Sequence, residues 1–301
     1  MSSAAGIDVG GTKCLGVVIN ADHSITSEHD VVREVRHPTP HASKLVDALT
    51  VLIGELGTLD TIGVGVPGLI TLDGVMRASP NIPGSVDVAV GPELSQRLGR
   101  HVHVDNDGNL AALAEWRYGA GRGARNMWMV TLGTGIGGGH IVDGVVQRGV
   151  NGFAGEIGHM VVNPDGPRCT CGRKGCWEVY ASGRGIKSLA AGEPGESVMK
   201  RARRGDADAV TVLEAWARWV ALGLSNLTNI SDPDVIVIGG GVSENVDIMM
   251  PIVRRWFVEL LYSPEQRTHP DLRVAQLGEH AGAIGAALLP LTEPPASTMR
   301  R

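Results

Sequence analysis

The chain has 301 residues, a formal net charge of −5 and only four cysteines, and 43% of it is hydrophobic. A chain of this length buries roughly 75% of its unfolded surface without help from disulfides, so two compact lobes or one large domain both fit. No apolar run approaches the ~20 residues that cross a bilayer, and the one dense basic run, residues 200–204, abuts the turn-like Gly205 and Asp206 as a solvated helix end does, so neither membrane nor nucleic acid is expected as a partner.

The opening MSSAAGIDVGG lacks a charged leader and an apolar stretch, so export is not indicated and a cytoplasmic location is expected. Residues 6–20 read as strand, glycine turn, strand, and a third strand follows near residues 31–35. From residue 42 to about 56, Leu45, Leu49, Leu52, Ile53 and Leu56 recur on one face at helical spacing. A short buried strand, TIGVGVPG, comes next, then the loop SPNIPG and a helix near residues 92–98. In HVHVD, Val102 and Val104 share one face of a strand that stops at DND.

Asn106 and Asp107 therefore stand where a strand yields to the helix NLAALAEWRYG, a place where open α/β sheets present ligand-binding side chains. Helix capping by Asp105 or Asp107 is the competing explanation. Residues 126–149 then repeat the opening pattern of apolar strand, glycine turn and apolar strand, which reads as a domain-scale duplication. Further on come a helix over about 207–230, a strand running into Gly239-Gly240-Gly241, a helix from about Asn245, the strand RVAQL and the small-residue helix AGAIGAALLP. The tail from residue 291 reads as frayed.

Glycine clusters at three strand ends: Gly10-Gly11-Thr12, Gly133-Thr134-Gly135 and Gly239-Gly240-Gly241. Backbone N–H groups in such turns form anion-binding concavities, and three of them suggest a polyphosphate. Gly133, Gly135 and Gly138 match G-x-G-x-x-G, but that fingerprint needs a following helix, and HIVDGVVQRG reads as a β-branched strand. A nucleoside triphosphate fits better than a dinucleotide. With ATP and Mg2+, an acid would deprotonate an acceptor hydroxyl and a second acid would hold the ion through water; Asp107 suits the first task and Asp8 the second.

Between residues 155 and 178, His159, Cys169, Cys171 and Cys176 form an H-x9-C-x-C-x4-C array, the thiolate and imidazole mix that structural zinc prefers. Buried free thiols or a redox trap are the plainer alternatives. Glu156 and Glu178 are interleaved with these ligands and are not needed for coordination. Together with Asn81, Asn106 and His159 they could read a hydroxyl-rich acceptor, since each sugar hydroxyl both donates and accepts.

Taken together, DVGGTK, GVPG, PNIPG, DND, LGTGIGGG, GEIGHM, CTCGRKGCWE and IGGGVS resemble the ROK family of sugar kinases and repressors, and within it the bacterial glucokinases, over nearly the whole chain. The resemblance implies an α/β, actin-like ATPase (ribonuclease H-like) fold with two α/β lobes around a cleft. It divides the chain into a small lobe, residues 1–108 completed by a C-terminal helix at 283–301, and a large lobe, residues 109–282, with the zinc loop at 159–176. It makes Asp107 the catalytic base for the 6-hydroxyl of the hexose, places Gly68, Asn81, Asn106, Glu156, His159 and Glu178 on the sugar, and assigns His159, Cys169, Cys171 and Cys176 to a structural Zn2+. Asp8, Gly10, Gly11, Thr12, Lys13, Thr134, Gly135, Gly240 and Gly241 fall to ATP and Mg2+. The implied activity is ATP-dependent phosphorylation of glucose by a homodimer or homotetramer. The chain starts at the first phosphate strand with no preceding helix-turn-helix, as a free-standing kinase would. NIPG is followed by SVDV where many glucokinases have a tryptophan, so fructose, mannose or an N-acetylhexosamine stay open as substrates, as do polyphosphate as donor and a catalytically silent sugar sensor.

Overall fold

Alternation in the first two strands sends side chains into two separate cores, so the sheet they start must be covered on both faces. In β1 (Ser3–Val9) Ala5, Ile7 and Val9 join one cluster and Ala4 the other. In β2 (Lys13–Asn20) Leu15, Val17 and Ile19 point to the second. The protein is described here from a computed structural model covering residues 3–20, 31–241 and 245–292. It divides into two compact units.

Among the described residues, the first unit holds those up to 122, 146–154 and those from 276 on. Its sheet adds β3 (Val31–Pro38), β4 (Thr61–Val66) and, after α1 (Leu45–Leu56), the short β5 (Leu69–Ile70), β6 (Met76–Ala78) and β7 (Val86–Val88) and helix α2 (Val90–Leu98), the strand β8 (His103–Asn106). The order is β3-β2-β1-β4-β8, with β1, β4 and β8 parallel and the β1–β2–β3 meander antiparallel; β5, β6 and β7 form a small separate sheet. The leucine stripe of α1 covers one face, as its spacing predicts. The other is covered by α3 (Asp107–Tyr118) and the C-terminal helix Ala281–Thr292. That last helix lies almost on the strands: a Cβ at Gly6 would stand 1.9 Å from the Ala283 carbonyl oxygen, and one at Gly63 1.9 Å from that of Ala286. Its small residues are what permit the approach.

The second unit, residues 123–145 and 155–275, repeats the plan. Here β9 (Asn126–Leu132), β10 (Ile136–Val142) and β11 (Val145–Val146) are followed by α4 (Glu178–Ala181), α5 (Gly183–Leu189), α6 (Gly195–Arg203), α7 (Ala207–Ser231), β12 (Val235–Gly239), α8 (Val246–Leu260) and β13 (Asp271–Val274). The order β11-β10-β9-β12-β13 reproduces that of the first sheet, again with a parallel trio and an antiparallel hairpin. The duplication read from the two hairpins is therefore a duplication of whole sheets. β10 is a strand, as the rejection of the dinucleotide fingerprint required. Trp216, Val220, Leu224 and Leu227 of α7 bury against Trp128, Val130, Ile236 and Ile238 of the sheet. Among the described residues no helix is long and apolar enough to cross a membrane.

Three expectations shift. A boundary at 108/109 would fall inside α3, a continuous helix buried in the first unit, and the chain passes into the second unit at Gly123 instead. The last strand is Asp271–Val274 rather than RVAQL, because the N–H groups of Gln276 and Leu277 turn to the Glu115 carboxylate. The final helix begins at Ala281, where the run AGAIGAALLP begins, and not at 283; the tail from 293 lies outside the described residues, as do residues 242–244 of the third glycine turn's flank. The basic run at 200–204 ends α6, where Lys200 pairs with Glu196, Arg201 with Glu193 and Asp206, and Arg203 with Asp247.

Candidate active site

In the first unit the turn after β1 is closed by the Gly10 N–H donating to the Lys13 carbonyl at 2.8 Å. The Thr39 hydroxyl donates to the Gly10 carbonyl at 2.6 Å and pins the turn from the side. Gly11 and Thr12 are exposed, and a Cβ on Gly11 would lie 3.6 Å from the Asn81 carbonyl oxygen, so the sugar-assigned Asn81 stands beside the first glycine turn. Lys13 is ion-paired with Glu279, which Arg36 also binds.

Asp8, at the end of β1, is pushed up to about 7, first by burial and then by the charge of Asp107, with Lys13 opposing. Two carboxylates thus share one low-dielectric locality, and the like charge disfavours ionising both. A cation there would reverse that cost, which is the behaviour expected of a residue that holds Mg2+. Asp8 also sits against the C-terminal helix: a Cβ at Gly282 would lie 2.7 Å from its Cγ.

Asp107 opens α3, and the cap of that helix is Asn106 rather than either neighbouring aspartate. The Asn106 side-chain oxygen accepts from the N–H groups of Gly108 at 2.8 Å and Asn109 at 3.2 Å, and its Nδ2 donates to the Gly68 carbonyl at 3.1 Å. Asn106 therefore does structural work that holds Asp107 at a helix N-terminus, where the dipole favours the ionised carboxylate. Gly68 has φ +101, and a Cβ there would stand 2.2 Å from the Ala78 carbonyl oxygen, so only glycine serves. Its carbonyl is what Asn106 uses. The loop bearing Asn81 is braced by Ser85, whose hydroxyl donates to the Ser79 carbonyl at 2.8 Å and accepts the Ser79 N–H at 3.0 Å.

The second unit carries the other predicted residues. After β9 the Gly133 N–H donates to the Gly135 carbonyl at 3.0 Å, and the Thr134 side chain is exposed. The third turn lies beside the second, since a Cβ at Gly240 would come within 2.5 Å of the Leu132 carbonyl oxygen. Glu178 is buried directly against the second turn: its Oε2 accepts the Ile136 N–H at 3.4 Å and would stand 2.4 Å from a Cβ on Gly135.

The cysteine loop is a short knuckle. The Cys169 N–H donates to the Arg173 carbonyl at 2.8 Å and the Gly172 N–H to the Cys169 carbonyl at 3.0 Å. Trp177, fully buried, anchors its end to α7 through an Nε1–H bond of 2.7 Å to the Trp219 carbonyl. A ring nitrogen of His159 and the three sulfurs lie within 4.8 Å of one another, with Cys169 Sγ 3.7 Å from His159 Nδ1 and Cys171 Sγ 3.6 Å from Cys176 Sγ. A tetrahedron with Zn–S bonds of about 2.3 Å has edges of about 3.8 Å. The donor set and its spacing therefore fit a closed structural zinc site.

The remaining imidazole nitrogen, Nε2, faces Glu156 at 3.8 Å, while Glu178 Oε1 lies 3.9 Å from Nδ1 and 2.9 Å from Cys169 Sγ. Burial, more than the nearby Glu178, raises the Glu156 carboxyl above its ordinary range, and His159 opposes the rise. Glu156, His159 and Glu178 are thus one cluster, with a nitrogen and two carboxylates arranged around the knuckle. Sequence reading missed Arg184, whose Nε donates to the Thr134 carbonyl at 2.8 Å and whose Nη2 lies 3.6 Å from Glu178 Oε1. It also missed Arg148, which pairs with the buried Asp105. Nothing in the local pattern of either arginine signals its partner.

Comparison with known proteins gives this geometry its relatives. The ROK family profile matches residues 4–293. The glucokinase of Streptomyces coelicolor is 34% identical over an alignment covering 95% of this chain and 97% of that one. The N-acetyl-D-glucosamine kinase of Salmonella heidelberg is 35% identical, covering 96% and 99%. The crystal structure of a ROK family glucokinase from Streptomyces griseus in complex with glucose and AMPPNP superposes with a TM-score of 0.83 at 34% identity, covering 96% of this chain and 99% of that one. The fold is the mixed α/β, actin-like ATPase fold that the motifs imply. Matched over almost its whole length, the chain belongs to the ROK family.

Proposed function

We propose that the protein phosphorylates glucose at its 6-hydroxyl with ATP as donor. The observation that carries this reading is the setting of Asp107: a carboxylate at a helix N-terminus, held by the Asn106 cap, beside the half-buried acid Asp8, whose carboxyl its charge helps to raise. Asp107 takes the proton from the hydroxyl as the hydroxyl oxygen attacks the γ-phosphorus, whose bond to the β,γ-bridging oxygen breaks so that ADP leaves with that oxygen. In the turns at Gly10–Thr12, Gly133–Gly135 and Gly239–Gly241, where the N–H groups of Gly10 and Gly133 close their own turns, the other backbone N–H groups are the donors we assign to phosphate oxygens. Mg2+, when bound with ATP, neutralises charge on those oxygens, and Asp8 is the residue that would hold it. Zn2+ would be held by His159, Cys169, Cys171 and Cys176 and keep the knuckle folded. Glu156, His159 and Glu178 bind hexose hydroxyls, the His159 ring through Nε2, and Asn81 is the further residue we assign to the sugar.

Support also comes from the glucokinases at 34% identity. A second reading, a kinase for an N-acetylhexosamine, is favoured by the 35% identity to an N-acetyl-D-glucosamine kinase. A coupled assay with ATP and Mg2+ over glucose, mannose, fructose, N-acetylglucosamine and N-acetylmannosamine decides between them by kcat/KM. The Asp107→Ala variant should lose roughly 10²–10⁴ in kcat with little change in glucose affinity. Near-normal turnover by that variant refutes the assignment of the base. Sugar binding with no turnover on any member of the panel refutes a kinase and leaves a sensor.

A further inference from the structure

Thr134 and Gly135 belong to the turn assigned to the nucleotide, Ile136 follows them as the first residue of β10, and Glu178 is assigned to the hexose. Arg184 joins them. Its Nε–H donates to the Thr134 carbonyl at 2.8 Å, and its Nη2 lies 3.6 Å from Glu178 Oε1, while the other carboxylate oxygen accepts the Ile136 N–H at 3.4 Å. The result is a closed ring from turn carbonyl to guanidinium to carboxylate to turn amide. The Gly183 N–H, one residue before Arg184, donates to the Gly133 carbonyl at 2.8 Å, so the start of α5 is tied to the same turn by its backbone.

The ring has an asymmetry that matters. Glu178 is buried, whereas 43% of the Arg184 side chain is exposed, so the position of the guanidinium is set by its partners and not by packing around it. A phosphate received by the turn amides fixes the peptide planes of the turn. It thereby fixes the carbonyl that Arg184 grips, and a planar guanidinium fork transmits that orientation to its second partner. Lysine, a point charge on a flexible stem, can serve one partner or the other but not both in fixed geometry.

We infer that Arg184 is a positioning residue that couples the two substrates: nucleotide at the second glycine turn orders Glu178 through Arg184 and so tightens hexose binding. This rests on the reading of the protein as an ATP-dependent hexose kinase. Coupling of this kind is reciprocal, so hexose must tighten nucleotide by the same factor.

The test is calorimetric titration of glucose into the zinc-loaded protein with and without Mg2+ and AMPPNP, for the wild type, Arg184→Ala and Arg184→Lys. Wild type should show roughly fivefold or greater tightening by the nucleotide. Arg184→Ala should retain its zinc and melting temperature but show less than about a twofold effect. Arg184→Lys should bind glucose alone as the wild type does and still lose most of the coupling, a split that loss of folding would not produce. Undiminished coupling in both variants overturns the inference, as does a wild type whose glucose affinity ignores nucleotide. Absence of hexose binding and of hexose phosphorylation in the wild type overturns the parent reading and this one together, and is distinguishable because it leaves nothing to couple.

Discussion

Arg148 donates through Nε to the carboxylate of Asp105, and that carboxylate, 3% exposed, also accepts the Asn106 N–H at 2.7 Å and the Asn109 Nδ2 at 3.1 Å. The pair lies behind Asn106, which caps α3 and sets Asp107. Removing one partner of a buried pair leaves the other charge uncompensated, at a cost of about 3–5 kcal/mol. Arg148→Met should therefore lower the urea unfolding free energy by about that amount, and adding Asp105→Asn to it should recover part of the loss. A double-mutant cycle with no coupling between the two positions contradicts the role given to the pair. Because Asn106 moves with Asp105, kcat should fall in Arg148→Met even under conditions where the variant is folded.

In the proposed assignment His159 serves both the zinc knuckle and the hexose, and Glu178 lies 2.9 Å from the knuckle's Cys169 Sγ, so losing the metal should cost the sugar. Chelation, or Cys176→Ser at a fully buried ligand, should remove metal and release Glu178 and His159 from their fixed places. Charge-assisted hydrogen bonds contribute about 1.5–3 kcal/mol each, so the loss of one of them predicts a rise in glucose KM of roughly ten- to a hundredfold. KM for ATP should change less, by no more than the roughly fivefold coupling, because Glu178 reaches the second glycine turn alone while the turn at Gly10–Thr12 has its own pins in Thr39 and Lys13. Equal changes in both constants would mean that the knuckle supports the fold in general and not the sugar side in particular.

Two chain segments far apart in sequence meet at one buried carboxylate. Glu115 Oε1 accepts the N–H groups of Gln276 and Leu277, both at 2.8 Å, and Oε2 accepts that of Ala120, also at 2.8 Å. Those amides flank the points where the chain leaves the first unit and returns to it. Glu115→Gln replaces one acceptor by an N–H donor facing the Ala120 amide, and should destabilise by about 1.5–3 kcal/mol. Gly119→Ala should act through the same carboxylate, since its Cβ would stand 2.0 Å from Oε2. The two substitutions should be strongly non-additive. Hydrogen exchange at Ala120, Gln276 and Leu277 should accelerate in either variant, and unchanged protection there would contradict the latch.

Much of this architecture is legible in the sequence because it rests on local patterns. The leucine stripe of α1, the alternation of β1 and β2, and the glycine turns each announce themselves within a dozen residues, and the recurrence of the hairpin announces the second sheet. The ligand spacing from His159 to Cys176 is equally local. What does not show is anything set by contact across sequence. Asn106 is a good cap by residue type, yet so are Asp105 and Asp107, and the choice falls to Asn106 because Asp105 is claimed by Arg148, 43 positions away. The strand RVAQL is cut short for the same reason: Gln276 and Leu277 spend their amides on Glu115, 161 and 162 positions earlier. Arg184 sits six residues past Glu178, where no helical period would pair them across the break between α4 and α5.

The raised carboxyl of Asp8 makes a signed prediction about pH. Its folded value of about 7 lies above the ordinary aspartate value near 3.9 that it takes when unfolded. Between those values the unfolded chain has lost its proton and the folded chain has kept it, so stability falls as pH rises from about 4 to about 7 and levels off above. Asp8→Asn removes the titration. In the metal-free, nucleotide-free protein, its unfolding free energy relative to wild type should therefore climb across that window to a plateau of a few kcal/mol above pH 7. Since Asp107 is the second cause of the shift, Asp107→Asn should move the window to lower pH and shrink the plateau without abolishing it, because burial, the larger cause, remains. Thermal melts of the three proteins from pH 4.5 to 8.5 measure this directly. A difference between wild type and Asp8→Asn that is flat with pH would mean that Asp8 ionises normally, and that Asp8 and Asp107 do not share one electrostatic locality.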